Sequence, residues 1–373
     1  MKKMVLTATF CLLGMLCHAQ QTKVIGRLSG IEADSMTMTL INNTFDKQER
    51  LDKVPLKKQD TSFEYDLNIS EARQLLIYPV LKQGQALKGY IDLFIVPGTT
   101  VYLTGTLEDY HLSGAPFYDD CNAILAAKRP YTQRLDILNE EFKNGQASGL
   151  DKDSLRQAIM PKFKAVQNDL AAYALKYIQE HPTQEAVVTL LGATNNPQAA
   201  YDAISDKVKN GVFSTYLGRV KKQIEDEAER SIAAKQIVEG NAAPDFTLND
   251  IHGKPLALSS LRGKYVVLDF WGSWCIWCIR GMPKMKEYYT KYSGKFEIIG
   301  IDCNDPEEKW KNAVAKHALP WLHVYNPRTS NLLARYAVAG FPTKIIIDPQ
   351  GKIVKKVVGE DDSFYEYLDE LLK

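Results

Sequence analysis

Two cysteines separated by two residues, Cys275 and Cys278, constrain the fold of this chain more than any other feature. They follow a strongly apolar run at residues 265–270 and stand where a helix is predicted to begin. Because residues three apart share one face of a helix, both thiols are expected on the same face. Unpaired backbone N–H groups and the positive end of the helix dipole stabilise a thiolate at the first position, which Cys275 occupies.

Two thiols one helical turn apart supply both steps of thiol–disulfide exchange. Cys275 is predicted to attack a substrate disulfide, and Cys278 to resolve the mixed disulfide that results. Three alternatives remain: half of a zinc site, a permanent structural disulfide, and a peroxidase of the peroxiredoxin type. A zinc site lacks a second Cys-x-x-Cys pair, and the peroxidase lacks its hydroxyl residue because that position is Gly272. The residues left to complete a zinc site are Cys303, His317 and His323.

The chain of 373 residues is long enough for two or three domains. Residues 20–116 contain short β-branched and aromatic runs between Gly, Asn, Asp and Pro, which predicts an all-β sandwich. Residues 117–237 predict a helical connector, and residues 238–373 alternate strands and helices, as in an α/β domain with a covered sheet. The strands predicted in the first of these regions span residues 23–28, 35–40, 62–67, 75–78, 91–96 and 100–104.

In the middle region, apolar residues that recur at steps of three and four predict helices. One such face runs from Phe163 to Tyr177, and Pro182 is expected to end that helix. A further helical segment is predicted to start at Pro197. In the last region the predicted strands are 246–248, 255–258, 265–270, 296–301, 322–325, 343–348 and 353–358, followed by a helix at 363–372.

Residues 1–19 predict a secretory signal peptide rather than part of the fold. Lys2 and Lys3 precede an apolar run of residues 5–16, and a cut after Ala19 fits the preference for small residues. The chain is therefore expected to be exported to the periplasm or cell envelope. Two alternatives for this segment are a membrane anchor and lipidation at Cys17, which the bulky residue before it disfavours.

Charge and cysteine content exclude other classes of protein. Lysine plus arginine number 46 and aspartate plus glutamate 45, and no basic stripe of the kind that binds nucleic acid is present in the sequence. Four cysteines remain after residue 19, which is too few for a scaffold held together by disulfides. No metal and no cofactor is expected, and Cys121 and Cys303 are expected to be inert, although Cys303 stays a candidate third thiol.

The motifs around the cysteine pair resemble the thioredoxin superfamily, in particular the exported TlpA-like and ResA-like thiol–disulfide oxidoreductases. The resemblance covers about residues 238–373 and implies a thioredoxin-like fold. The part before it resembles, more loosely, the β-rich N-terminal domain of Bacteroides-type envelope proteins. The matching segments are residues 243–248, 261–264, 274–278 and 340–343.

The resemblance also implies the roles of individual residues. Cys275 is the attacking and Cys278 the resolving cysteine, and Pro342 is a cis-proline beside them that leaves the backbone of Phe341 free to pair with a substrate. Asp269 matches a buried acid that accepts the proton of Cys278; a strand-end residue facing solvent is the alternative. The candidate substrate-binding residues are Trp274, Trp277 and Phe341.

Three departures from the family leave the proton route and the direction of exchange open. ResA-like members carry a glutamate where this chain has Gly281, and thioredoxin pairs its buried acid with a lysine that residues 298–301 lack. The uncharged dipeptide Ile276–Trp277 between the thiols favours a reductant.

The first hypothesis is a periplasmic reductase or exchanger of protein disulfides that takes electrons from a membrane thiol-transfer protein. The resemblance suggests apocytochrome c or other envelope proteins as its substrates. The alternatives are a partner-binding scaffold with a docking thioredoxin-like domain, and a disulfide oxidase or isomerase.

Overall fold

The structure is a computed structural model that describes residues 19–31, 33–42, 47–57, 61–80 and 89–373. The predicted signal peptide, with Cys17, lies outside this range apart from Ala19. The chain forms two compact units, Met1–Lys221 and Lys222–Lys373. In the described ranges, no helix is both long enough and apolar enough to span a membrane.

The first unit begins with a β-rich region of two four-stranded sheets. One sheet has the order β4-β1-β7-β8, in which β1 and β7 are parallel, and the other has the order β3-β2-β5-β6 and is antiparallel throughout. The strands are β1 (Gln20–Leu28), β2 (Ser35–Asn42), β3 (Lys47–Pro55), β4 (Ser62–Ile69), β5 (Arg73–Pro79), β6 (Ile91–Ile95), β7 (Thr100–Gly105) and β8 (Tyr110–Ser113).

All six strands predicted for this region are present, and sequence reasoning missed two more, β3 and β8. Both lie at the edge of their sheets. The sequence of β3, KQERLDKVP, is mostly charged or polar, and β8 has only four residues. An edge strand is held by backbone hydrogen bonds to a single neighbour and tolerates charged side chains, so its apolar pattern is weak.

The helical middle region follows as predicted. Asp151 caps α2 by accepting a hydrogen bond from Ser154 N, and α2 ends at Glu180, just before His181 and Pro182. The predicted start at Pro197 is confirmed, with Asn196 as its cap. The helices are α1 (Pro116–Ala147), α2 (Lys152–Glu180), α3 (Pro197–Ala203), α4 (Asp206–Lys209) and α5 (Ser214–Ala234), with a 3-10 helix at Glu185–Ala193 before α3.

The second unit is built on a five-stranded sheet of order β13-β12-β11-β14-β15. The strands β13, β12 and β11 are parallel to one another, and β14 is antiparallel to both of its neighbours, β11 and β15. The elements are β9 (Thr247–Asn249), β10 (Pro255–Ala257), β11 (Tyr265–Trp271), α6 (Ile276–Lys291), β12 (Phe296–Asp302), α7 (Glu307–Lys316), β13 (Leu322–Val324), α8 (Leu332–Arg335), β14 (Thr343–Ile347), β15 (Ile353–Val358) and α9 (Asp362–Leu372).

The central strand β11 separates two buried layers and directs the chain toward the cysteine pair. Val267 and Trp271 belong to the layer that contains both cysteines and α9, whereas Leu268 and Phe270 belong to the opposite layer. A strand covered on both faces needs apolar residues at successive positions, which explains its nearly continuous apolar sequence. The α/β architecture with a covered sheet is confirmed.

Candidate active site

The two cysteines lie at the start of α6, as the spacing predicts. Cys275 is the N-cap residue of this helix, and its Sγ accepts a hydrogen bond from the backbone N of Cys278 at 3.1 Å. The two residues form a disulfide, and both are buried. When the disulfide is reduced, the same N–H group and the helix dipole favour a thiolate on Cys275.

The loop between β11 and α6 is held by residues that follow β12. The carboxylate of Asp305, itself buried, accepts hydrogen bonds from Ser273 N at 2.6 Å and from Ser273 Oγ at 2.8 Å. The indole N–H of Trp274 donates to the backbone oxygen of Cys303 at 2.9 Å. These three bonds fix the chain immediately before Cys275.

An apolar surface surrounds the buried disulfide. Trp274, Ile276 and Trp277 are 45%, 55% and 57% exposed, which is unusual for side chains of this size. The ring of Phe341 packs edge-on against Trp274 with centroids 5.2 Å apart. The guanidinium of Arg280 lies over the Trp277 ring at 4.9 Å and adds a positive charge beside this surface.

The peptide bond between Phe341 and Pro342 is cis, as the resemblance implies. The Pro342 oxygen accepts a hydrogen bond from Gly359 N at 2.7 Å, and the Thr343 hydroxyl donates to Gly340 O at 2.7 Å. Because Phe341 packs on Trp274, this loop lies beside the segment that carries the cysteines.

Asp269 is a buried acid on the same face of the sheet as the cysteines. It lies on β11 between Val267 and Trp271, and its Oδ1 has no hydrogen-bond partner within the described part of the chain. Burial raises the pKa of this carboxyl to about 6; the charge of Glu360 also raises it, and that of Lys344 lowers it. The alternative that Asp269 faces solvent is wrong.

Comparison with known proteins agrees with this geometry. Residues 239–356 match the AhpC/TSA family. A thiol–disulfide oxidoreductase ResA of Bacillus cereus is 40% identical over 122 residues, which are 32% of this chain and 70% of that protein. The chain belongs to the ResA-like thiol–disulfide oxidoreductases. ResA of Bacillus subtilis is 32% identical over 138 residues, 36% of this chain and 76% of that protein.

Among solved structures, the thioredoxin domain of a thiol–disulfide oxidoreductase from Bacteroides vulgatus has 32% identity and a TM-score of 0.35, over 36% of this chain and 99% of that one. As a ResA-like protein, the chain is an enzyme that acts on protein disulfides, and its second unit is a thioredoxin-like domain.

This chain lacks the glutamate of ResA-like members and the lysine of thioredoxin, and residues that sequence reasoning missed take both places. Lys344 pairs in register with Asp269, but from β14 rather than from β12, where the lysine was sought. Its Nζ lies 2.6 Å from Glu360 Oε2. The Glu360 carboxylate in turn occupies the space beside Gly281, where the family glutamate would stand: a Cβ on Gly281 would lie 2.4 Å from Glu360 Cδ.

The sequence signals that could have identified Lys344 and Glu360 differ. Lys344 is a charged residue just before three isoleucines of a fully buried strand, which is a detectable anomaly. Glu360 stands in the polar run Gly-Glu-Asp-Asp, which reads as an ordinary solvent-exposed turn.

The remaining thiols, Cys121 and Cys303, are free and buried. The Cys303 thiol donates to Ile301 O at 3.4 Å, and burial raises its pKa well above the ordinary value. Burial, followed by the charge of Asp120, raises the pKa of Cys121 to about 12. Neither environment favours a thiolate.

A second buried acid, Asp302, was also missed. Neither of its carboxylate oxygens has a hydrogen-bonding partner among the described residues, and burial together with the neighbouring Asp305 raises its pKa to about 8. Burial lowers the pKa of His323 to about 4. In the described ranges, no group of three or more His, Cys, Asp or Glu residues is arranged to hold a metal ion.

Proposed function

We propose that this enzyme reduces or exchanges protein disulfides with Cys275 as the nucleophile and Cys278 as the resolving thiol. The observation that carries the proposal is the position of Cys275: it caps α6, accepts an N–H hydrogen bond on its sulfur and is surrounded by an exposed apolar surface. A site of this kind joins thiolate stabilisation to a place for a protein substrate.

The reaction begins when the Cys275 thiolate attacks one sulfur of a substrate disulfide. A bond forms from Cys275 to that sulfur, and the other substrate sulfur leaves as a thiolate that takes a proton from water. The Cys278 thiol then gives its proton to the Asp269 carboxylate and attacks Cys275 Sγ. The bond between Cys275 and the substrate breaks, and that substrate sulfur leaves as a second thiolate that takes a proton from water. The Cys275–Cys278 disulfide forms, and two electrons have passed to the substrate.

We propose that Trp274, Trp277 and Phe341 bind the polypeptide around the substrate disulfide. Their exposed rings offer apolar contact, and the backbone at the cis Phe341–Pro342 bond is suited to strand-like pairing with an extended segment. The Arg280 guanidinium favours substrates that carry an acidic or carbonyl group at the edge of this surface.

We propose that the enzyme works as a reductant outside the cytoplasm. The signal peptide predicted for residues 1–19 supports this location, and the uncharged Ile276–Trp277 dipeptide between the thiols supports the direction. In an oxidising compartment the cysteine pair must be reduced repeatedly, which requires a thiol-transfer protein in the membrane as electron donor. Exported proteins with cysteine pairs, including apocytochromes c, are the proposed substrates.

For the rest of the chain we propose a β-sandwich at residues 20–116 and a helical connector at 117–237 before the thioredoxin-like domain at 238–373. In support of the sandwich, buried residues of both N-terminal sheets, such as Val24 and Ile77, belong to one hydrophobic core.

Replacing Cys275 with Ser tests the nucleophile. In an insulin-reduction assay with dithiothreitol as electron donor, Cys275→Ser should lose all enzyme-dependent turnover because no thiolate attacks the disulfide. Cys303→Ala removes a buried free thiol and is the matched control, which should keep wild-type turnover. Turnover that survives in Cys275→Ser would refute the proposed mechanism.

A redox titration of the Cys275–Cys278 pair separates the reductase from the oxidase or isomerase. The reductase proposal expects a potential on the reducing side, whereas a value of about −120 mV, the strong-oxidant end, would contradict it.

The Cys278→Ala variant, which cannot resolve mixed disulfides, should capture substrates covalently on Cys275.

A further inference from the structure

A partly buried ion pair lies next to Asp269 on the cysteine side of the sheet. Lys344 is 3% exposed and Glu360 19%, and Lys344 Nζ lies 2.6 Å from Glu360 Oε2. The Tyr365 hydroxyl donates to the other carboxylate oxygen, Glu360 Oε1, at 2.8 Å. Lys344 and Asp269 are directly opposed in the antiparallel register of β11 and β14, so their side chains leave the same face of the sheet.

Gly281 on α6 fits this pair closely. Its missing side chain leaves the space that the Glu360 carboxylate fills, since an added Cβ would stand 2.4 to 2.5 Å from all three atoms of that group. The Tyr365 hydroxyl also contacts the Gly281 oxygen at 3.4 Å. Glu360 is therefore held between α6, α9 and Lys344, directly beneath the helix that carries Cys278.

We infer that Lys344 and Glu360 are positioning residues for the proton transfer between Cys278 and Asp269, with Glu360 restraining the Lys344 ammonium so that Asp269 can act as a base. The inference rests on the proposed function, because it concerns the proton that Cys278 releases during resolution. Neither residue touches the reacting sulfurs; both act through Asp269.

Two opposite charges act on the Asp269 carboxyl. The positive Lys344 stabilises the Asp269 carboxylate and the negative Glu360 destabilises it. A lysine without its glutamate partner would stabilise the carboxylate more strongly and make Asp269 a weaker base. The charged and titratable groups that interact electrostatically with Asp269 are Lys344 on β14, Glu360 after β15, Tyr365 on α9 and Cys303 after β12. Cys278 on α6 belongs to the same buried layer as the β11 residues on either side of Asp269. Asp362 and Lys284 lie farther out, around Tyr365.

The oxidised enzyme allows a direct test, because neither cysteine titrates while the disulfide is intact. The protonated carboxyl of Asp269 gives an infrared carbonyl band whose loss in Asp269→Asn identifies it. We expect a midpoint near about 6 in the wild type. Glu360→Gln should move it to lower pH by about half a unit or more, and Lys344→Met should move it to higher pH by a similar amount.

Two further variants separate positioning from a general structural effect. Gly281→Ala should displace the Glu360 carboxylate and shift the midpoint in the same direction as Glu360→Gln. Asp369→Asn is the matched control: Asp369 also joins α9 to α6, through Lys291 at 2.6 Å and Tyr288 at 3.0 Å, but it does not contact the Asp269 group. It should leave the midpoint unchanged.

Catalysis provides the second readout. The pH profile of insulin reduction should move in the same direction as the infrared midpoint in Glu360→Gln and in Lys344→Met. In an Asp269→Asn background, adding Glu360→Gln should change the rate by less than about twofold, because coupled residues give non-additive effects.

The inference is overturned if the two variants leave the midpoint in place, if both shift it in the same direction, or if the effect of Glu360→Gln on the rate persists without Asp269. The proposed function would still stand in each case provided that Cys275→Ser is inactive. An active Cys275→Ser would refute the proposed function regardless of the infrared result.

Discussion

At the scale of single residues, Asp269 is an acid whose pKa is altered by its surroundings. Its carboxyl is buried, one of its oxygens has no hydrogen-bond partner among the described residues, and its pKa rises to about 6 chiefly through burial. The ordinary pKa of an aspartate is about 3.9. Ionising Asp269 therefore requires more free energy in the folded state than in the unfolded chain, and the difference reduces stability at neutral pH. The enzyme retains a charge that destabilises its own fold.

The raised pKa of Asp269 makes stability depend on pH in a definite direction. A carboxyl with a raised folded-state pKa lowers stability as the pH rises from about 4 to about 6, and the loss is complete above that window. Asp269→Asn should therefore be more stable than the wild type at pH 7.5, by up to about 3 kcal/mol, and should lose this advantage near pH 4. Urea unfolding at the two pH values measures the difference.

Asp369→Asn is the control for that experiment, because the pKa shift of Asp369 has the opposite sign. Hydrogen bonds from Lys291 and Tyr292 lower the pKa of Asp369 to about 2, so its contribution to stability is present at neutral pH and disappears as the pH falls toward 2. An Asp269→Asn variant that is less stable than the wild type at pH 7.5 would contradict the assignment of a costly buried charge.

At the scale of elements, the loop between β11 and α6 depends on the segment that follows β12. Asp305 bonds both the backbone N and the hydroxyl of Ser273, two residues before Cys275. The position of the nucleophile is thus set by an acid in the connection between β12 and α7. Reaction rates are sensitive to displacements of the reacting group of about 1 Å, so this anchor should matter for catalysis.

Asp305→Ala removes both acceptors at once. We expect insulin reduction to fall by about tenfold or more, and the free energy of unfolding by about 1–3 kcal/mol, because the buried Ser273 N–H is left without a partner. Ser273→Ala, which removes only the hydroxyl bond, should have a smaller effect on both quantities.

Lys309→Met is the control for this anchor. Its ammonium lies 3.4 Å from Asp305 but is largely exposed, so losing it should change stability by at most about 1 kcal/mol. Equal losses in Lys309→Met and Asp305→Ala would show that the ion pair, rather than the bonds to Ser273, supports the loop.

At the scale of the whole molecule, the thioredoxin-like unit has its own sheet and its own buried layers. The two apolar clusters on either face of this sheet contain only residues of the unit Lys222–Lys373. A unit of this size with both faces of its sheet covered meets the physical requirements for independent folding.

A protein truncated to residues 222–373 should therefore unfold in one cooperative transition and retain insulin reduction with dithiothreitol at a rate within about threefold of the full chain. Circular dichroism during urea unfolding and the turnover assay measure these two properties. A truncated protein that folds but has lost turnover would assign part of the active site to the first unit.

The sequence by itself determined the cysteine pair at a helix start, the apolar strand before it and six of the N-terminal strands. These features are local: each depends on the spacing and type of residues that are neighbours in the chain. The resemblance to the thioredoxin superfamily then implied a cis-proline at Pro342 and a buried acid at Asp269. The Phe341–Pro342 bond is cis, and Asp269 lies on the cysteine side of the sheet.

Only the tertiary structure decided what surrounds that acid. Lys344 and Glu360 reach Asp269 and Gly281 through the pairing of β14 with β11 and through the turn after β15, which no local pattern encodes. The edge strands β3 and β8 were missed for the same reason, since backbone bonds to a distant neighbour hold them. The chemistry of exchange is thus encoded locally around Cys275 and Cys278, whereas the charges that tune its proton transfer are brought together by folding.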